Sequence, residues 1–266
     1  MDHIRKVCSL SNISLNLIVD LIDIFCPQKE SGCPRKLSTL DCFLHTWYVL
    51  HTGVPWRWLQ PCMRKGTWST VYVRFQKWVK EDIFTKIYSN ILEFYKNRRQ
   101  KPIKNLFIDT TFVKNVLGRN CLGRSPVDRG RKACKLSVIV DDKGVAHSLT
   151  FHPGNHNDCK TMHSTLLLCP TAFLTGKSFC GDKGYDTSKC HEEVQRLGMV
   201  DNIWKRKCSQ SPSRPSRAVV ENFFAWLDCH RRLILRYDQD IKVYSSFTIL
   251  GCLAILCKNT CHKNTI

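Results

Sequence analysis

Leu106-Phe107-Ile108-Asp109-Thr110-Thr111-Phe112-Val113 reads as a β-strand, because β-branched and aromatic residues fill it, and an aspartate interrupts it. An acid has poor strand propensity, and an unpaired buried charge is costly. Asp109 therefore calls for a reason other than packing. Downstream, Lys135-Leu136-Ser137-Val138-Ile139-Val140 predicts a second strand. The turn signal Asp141-Asp142-Lys143-Gly144 returns the chain as a third, Val145 to Phe151. A helix is predicted over Thr161 to Leu168, a short strand over Lys177 to Asp182, a helix over Thr187 to Leu197 and a strand over Val200 to Trp204. Lys205 to Arg217, with Pro212, Pro215 and several serines, reads as a loop. Ala218 to Leu235 predicts one long helix, and Val243 to Leu256 a terminal one. Three strands in succession favour an antiparallel meander, and the later alternation favours parallel additions. The expected class is α/β, a mixed sheet with helices on its faces.

Upstream of that sheet, residues 1 to about 97 read as helical. Cys42 to Leu50 has helical apolar spacing and is broken by Gly53 and Pro55. A second helix opens near Thr67 to Ser69, with Val71, Phe75, Trp78 and Val79 as its apolar stripe. A third runs from about Ile83 to Tyr95. Helix, tight break and helix, carrying basic and amide side chains, suits a helix-turn-helix reader of DNA, and an ordinary helical bundle with solvated charges fits the segment too. The expected division is a helical domain over 1–97, a basic linker over 98–105 and a catalytic domain over 106–266.

The whole chain of 266 residues carries 41 Lys and Arg against 22 Asp and Glu, a formal charge of +19, with 43% hydrophobic residues. That apolar content argues against disorder, and the charge favours a polyanionic partner, most commonly nucleic acid. No run of about 18 uncharged apolar residues is apparent, so no membrane span is expected. The start, Met1-Asp2-His3-Ile4-Arg5-Lys6, leads into no apolar signal core, so an intracellular protein is expected. The 16 cysteines are scattered without zinc-ribbon spacing and read as small hydrophobes. Cys252, Cys257, Cys261 and His262 are the closest cluster, at irregular spacing.

Two further acids resemble Asp109 in being hard to explain by packing. Asp182 ends the short strand, and Glu221 lies in the first turn of a helix whose Val220, Phe223, Phe224 and Leu227 form a buried stripe. Three clustered carboxylates repel one another, and divalent metal removes that cost. Two Mg²⁺ ions about 4 Å apart stabilise the attacking and leaving oxygens of phosphoryl transfer. Between the first two strands, Lys114 to Lys135 is a basic run in which Arg124, Arg131 and Lys132 are placed to grip phosphates. After the third strand, His156 and Asp158 are candidates to orient substrate or bind metal, or simply to shape a turn.

The chain resembles a DDE transposase of the bacterial insertion-sequence-five family over nearly its whole length. Thr46-Trp47-Tyr48-Val49-Leu50-His51-Thr52-Gly53-Val54-Pro55-Trp56-Arg57-Trp58-Leu59, then Trp68 to Phe75, resembles that family's DNA-binding region. Ile108-Asp109-Thr110-Thr111 resembles its first aspartate segment, with Gly123-Arg124-Ser125 and Pro153-Gly154-Asn155 as intervening landmarks. Gly181-Asp182-Lys183-Gly184-Tyr185-Asp186 resembles the second aspartate motif. Arg217 to Leu227, then Arg231-Arg232-Leu233 and Arg236-Tyr237-Asp238, resembles the glutamate helix. The resemblance implies an RNase H-like mixed sheet flanked by helices, with a helix-turn-helix-like domain before it. It implies Asp109, Asp182 and Glu221 as catalytic and metal-binding residues, holding two Mg²⁺ ions, with Mn²⁺ able to substitute.

The implied activity cuts at the terminal inverted repeats of a mobile element and joins the 3′ ends to target DNA. Arg57, Arg74, Gln76 and Lys77 are the candidate contacts of the helical domain with double-stranded DNA. Lys183, Arg214, Arg217, Arg231 and Arg232 are those around the two motifs. A homodimer is implied, with no membrane partner, in the cytoplasm of a bacterium or the nucleus of a eukaryote. Two positions depart from the family pattern: Arg214 stands where a tyrosine is usual, and Asp228 where a lysine or arginine is usual. They motivate the alternative of a non-catalytic DNA-binding protein derived from a transposase; a plain metal-dependent nuclease is a third reading.

Overall fold

The computed structural model of the chain describes residues 2–27, 35–63, 65–206 and 217–261. It contains two compact units, Met1–Arg98 with Leu227–Ile266, and Arg99–Trp226. The helical unit begins with α1 (Asp2–Val7), α2 (Asn12–Phe25), α3 (Thr39–Thr52), α4 (Trp68–Lys80) and α5 (Ile83–Arg98). Side-chain caps set two of these starts. Ser38 and Asp41 form a capping box at α3, and Thr67 accepts from the Thr70 N–H at α4. Phe43, Trp47, Val71, Phe75, Trp78, Ile83 and Phe84 are buried in this unit. Each such side chain taken out of water contributes about 1.5–3 kcal/mol.

In the other unit, β1 (Asn105–Asn115) is followed by β2 (Gly123–Arg124), β3 (Lys132–Asp141) and β4 (Ala146–Pro153). Then come α6 (Asp158–Leu166), α7 (Thr171–Leu174), β5 (Ser178–Cys180), α8 (Ser188–Arg196), β6 (Val200–Asp201) and α9 (Ala218–Asp228). β3 pairs antiparallel with β1 on one side, and with β2 and β4 on the other. β5 adds parallel to β1, and β6 parallel to β5. The meander with parallel additions is the mixed sheet anticipated from the order of elements. Leu106 and Ile108 of β1 join Met162 and Leu166 of α6 and Cys190 and Val194 of α8 in one buried cluster. Alternation along β1 then turns Asp109 to the opposite face.

The structure differs from the sequence reading in three places. The compact unit of the N-terminal helices takes in residues from 227 onward. The reason is α11 (Ile241–Cys261), apolar round its circumference with Tyr244, Phe247, Leu250, Leu253 and Leu256 buried; such a helix needs enclosure, which α3, α4 and α5 supply. Phe247 stacks on Phe75 at 4.7 Å.

Ile241–Thr260 of α11 is long and apolar enough to cross a membrane, but Lys242 and Lys258 interrupt it, in keeping with the absence of an uncharged run of about 18, and 56% of its most apolar 18-residue window is buried within the protein, as in a core helix. The helix expected over Ala218 to Leu235 is broken into α9 and α10 (Arg231–Ile234). At the break, His230 has an extended backbone (φ −92°, ψ 99°), and its buried ring lies edge-on to Trp47. Finally, the expected linker over 98–105 is largely committed: Arg98 ends α5, Asn105 opens β1, and Arg99 is ion-paired with Asp141 at 3.1 Å. The loop expected over Lys205 to Arg217 falls mostly outside the described residues, as do the Cys261 side chain and His262; Cys252 and Cys257 are buried.

Candidate active site

Parallel pairing of β1 with β5 sets the first element of the site. Phe107 is opposite Cys180 in that register, where β5 ends; two residues further along each chain, Asp109 still lies within β1, opposite Val138 of β3, and Asp182 lies just past β5. Asp182 caps the 3₁₀ turn Lys183–Tyr185, accepting from the Gly184 N–H at 2.8 Å. Asp109 accepts from the Thr110 N–H at 2.7 Å and from Arg217 Nη2 at 2.7 Å. Burial pushes the Asp109 carboxyl above its ordinary range; Arg217 and the Thr110 N–H draw it back, and Asp182 and Asp158 raise it again.

Asp158 joins them from the α6 side. Its Oδ1 accepts from Thr110 Oγ1 at 2.9 Å and from Lys135 Nζ at 2.9 Å. A Cβ on Gly184 would lie 2.8 Å from Asp182 Oδ1 and 3.0 Å from Asp158 Oδ2, so a side chain there would push aside the two carboxylates that close on this turn. Tyr185, the residue after Gly184, is buried, and its hydroxyl has no hydrogen-bond partner. Burial first, and then Asp158, Asp109 and Asp182, drive that phenol well above its ordinary range.

Glu221 is not drawn into this cluster. It is exposed in the first turn of α9, and among the described residues no hydrogen bond or ion pair links its side chain to Asp109 or Asp182. Val220 and Phe223 bury the adjacent stripe of α9, and Arg217, one turn earlier, is what reaches Asp109. Sequence reasoning also missed Tyr185, and it placed Lys135 with the phosphate-gripping run. Lys135 lies within β3 and is buried, paired with Asp158 and 4.7 Å above the Phe112 ring. The burial of its neighbours Cys134, Leu136 and Val138 was the available signal.

The other candidates fall into distinct environments. Arg124, Arg131 and Lys132 are exposed on a short hairpin, where Arg124 pairs with Lys132 across β2 and β3. Gly123 at its start has a packing role: a Cβ there would meet Asn155 Oδ1 at 2.1 Å, which brings the two landmark motifs together. Lys183 is exposed beside Asp182, and His156 is half-buried with its ring 5.8 Å from His152. Arg214 lies outside the described residues.

In the helical unit Arg57 and Lys77 are exposed, the latter 3.7 Å from Glu81. Gln76 is half-buried, and Arg74 donates to the Ser38 carbonyl at 3.1 Å. Arg231 is exposed. Arg232, expected at DNA, is instead buried, with Nη2 2.6 Å from Asp238 Oδ1 and its guanidinium over Phe247. A side chain so enclosed is a structural ion pair rather than a phosphate contact.

A second charged group steadies the turn that carries Asp182. His191 of α8 lies between Asp186 and Asp201, one carboxylate at each ring nitrogen. The Asp186 bond above all, then Asp201, raises the imidazole above its ordinary value, against the effect of burial. A raised folded value contributes stability that is full below the unfolded value of about 6.5 and is lost as pH rises through the folded one. Urea midpoints measured from pH 6 to pH 9 are therefore expected to fall in the wild type, and this component should vanish in His191→Gln. An identical slope in both proteins rules the histidine out.

Hard divalent cations take oxygen ligands, and Mg²⁺ commonly uses one or two carboxylates with waters and phosphate oxygens. The cluster fits that donor set: carboxylates from two elements meet at Gly184, beside an unpartnered buried hydroxyl. It is not a closed protein cage, since among the described residues no three His, Cys, Asp or Glu side chains converge as metal ligands.

The family described as transposase DDE domain matches residues 101–257. The family described as putative transposase of IS4/5 family matches residues 14–88. A putative transposase for insertion sequence element IS402 from Burkholderia cepacia is 27% identical over 154 residues, covering 55% of this chain and 72% of that protein. Among solved structures, a pre-cleavage Mos1 transpososome overlaps 90% of this chain and 82% of its own at 12% identity, with a TM-score of 0.30. The Mos1 mariner paired end complex with Mn overlaps 90% and 83% at 11% identity, with a TM-score of 0.29.

Proposed function

The chain belongs to the transposase DDE domain family, and from that premise we propose that this DNA transposase cuts at the terminal repeats of a mobile element and joins the freed 3′ ends to target DNA. Family membership favours the enzyme over the non-catalytic derivative. The observation that carries the chemistry is the placement of Asp109 within β1 and Asp182 just past the parallel β5, each two residues beyond the paired Phe107 and Cys180, in a protein of net charge +19.

The family implies divalent metal. Mg²⁺, two ions with Mn²⁺ able to substitute, would supply positive charge to the attacking and leaving oxygens of each in-line displacement. Asp109 and Asp182 are the groups proposed to hold it, with Glu221 as the third carboxylate by resemblance. Arg217 neutralises Asp109 and lies within reach of a phosphate brought to that carboxylate. The exposed Arg124, Arg131, Lys132 and Lys183 are proposed to bind the DNA backbone near the cut, and Arg57 and Lys77 to contact the terminal repeats. Joining two ends needs at least two protomers, so a homodimer is proposed, acting on DNA inside the cell.

The test uses the DNA flanking the gene, which should carry short inverted repeats. Purified protein is incubated with a linear fragment bearing those flanks, with Mg²⁺ or with EDTA, and new 3′ ends are mapped by sequencing. Metal-dependent ends at the repeat boundary are expected. Cuts scattered without regard to the repeats indicate a plain nuclease, and specific binding without cuts, by folded protein across several metals, indicates the non-catalytic derivative.

A further inference from the structure

Asp158 has a placement that the three-acid scheme does not use. Its Oδ1 is fully engaged, by Thr110 from β1 and by the buried ammonium of Lys135 from β3. Its Oδ2 has no hydrogen-bond partner among the described residues and lies against Gly184, on the side where Asp182 Oδ1 also lies. Thr110 is the residue after Asp109, and Gly184 is the residue whose N–H holds Asp182. Asp158 thus bridges the strand of one site aspartate and the turn of the other. An acidic cluster alone means little. Here the hydroxyl of Tyr185, the residue after Gly184, is buried and unpartnered, its phenol is influenced by the charges of the same three aspartates, and a buried donor left unsatisfied indicates something missing from its surroundings.

We infer that Asp158, through Oδ2, is a ligand for the divalent cation together with Asp182, the Tyr185 hydroxyl bonding to a water or phosphate oxygen of that cation's shell. This rests on the proposed metal-dependent function and adds a fourth carboxylate to it. Lys135 then has a definite part: it balances Asp158 while the cation is away, and competes electrostatically with it on binding. Glu221, exposed on α9, need not supply the ligand that completes this pair. Two carboxylates with water and DNA phosphate are sufficient for Mg²⁺.

The test reads cation binding directly. Mn²⁺ is titrated into the full chain without DNA, and free Mn²⁺ is followed by its electron paramagnetic resonance, with folding checked by circular dichroism. Asp158→Asn is expected to weaken Mn²⁺ binding by about tenfold or more. Lys135→Met, which removes the competing ammonium, is expected to tighten it. A carboxylate serving only as the structural partner of Lys135 would give neither change.

Asp182→Asn separates the two readings. No saturable Mn²⁺ binding by the wild type, or binding that Asp182→Asn leaves intact, overturns the site itself. Binding weakened by Asp182→Asn but unaltered in folded Asp158→Asn overturns the role of Asp158 alone. Should Asp158→Asn fail to fold, unchanged affinity in Lys135→Met overturns it equally.

Discussion

Asp182→Ala is expected to reduce strand cleavage by about a thousandfold or more, while binding to the terminal repeats stays within a few-fold of wild type. The size follows from what the carboxylate does. Metal-borne charge on the leaving and attacking oxygens stabilises the transition state by several kcal/mol, and about 4 kcal/mol is a thousandfold in rate. Asp182 stands at the end of β5, and its side chain caps a 3₁₀ turn through one N–H, that of Gly184. Alanine removes that cap at a cost of about 1 kcal/mol, too little to unfold a domain of this size. Affinity for DNA comes mainly from phosphate contacts by basic residues, which the substitution leaves in place. The measurement is single-turnover cleavage of a labelled repeat-end fragment, beside a gel-shift titration of the same fragment at fixed salt. Cleavage at wild-type rate removes Asp182 from the chemistry. Loss of binding in parallel with cleavage assigns it to folding or DNA contact instead.

What the sequence made legible was local. Asp109 stood out because it interrupts a run of strand-forming residues, and Asp182 because a glycine-flanked motif follows a short strand. Parallel pairing then brings them level, and that pairing was implied by the order of elements. The features that escaped depend on long-range packing. Nothing near Lys135 in the chain announces that Asp158, in a different element, neutralises it inside the sheet. The neighbours Arg231 and Arg232 look alike in sequence, yet a helix break at His230 exposes one and buries the other against Asp238. Glu221 stands at the edge of the stripe formed by Val220 and Phe223, a position from which the sequence allows an acid to turn toward the sheet, and it is exposed. The return of α11 to the first helices could not be read from spacing either, because uniform apolarity says that a helix is enclosed and not by what.

Asp141→Ala is expected to destabilise the sheet unit by about 3–5 kcal/mol. Asp141 ends β3 with no exposed surface. One oxygen, Oδ2, takes Arg99 Nη1 at 3.1 Å and His147 Nε2 at 3.2 Å. The other, Oδ1, takes the N–H groups of Lys143 at 2.8 Å and Val145 at 3.2 Å, which closes the turn into β4. Asp142 beside it accepts from the backbone of Lys104 and Asn105, so this one hairpin also secures the entry to β1, the strand that carries Asp109. Removing the Asp141 carboxylate takes the counter-charge from a guanidinium whose side chain is only 12% exposed, and strips the buried N–H of Val145 and the part-buried N–H of Lys143 of their acceptor. A group left buried without its partner costs the full desolvation penalty, so the loss exceeds that of a surface ion pair, about 0–1 kcal/mol. Asp141→Asn keeps an acceptor oxygen for the turn and gives up the charge, and should fall between alanine and wild type. Urea denaturation followed by tryptophan fluorescence and circular dichroism gives all three free energies. A change below about 1 kcal/mol in the alanine variant means that solvent reaches Arg99 once the carboxylate is gone, and that the turn holds without its acceptor.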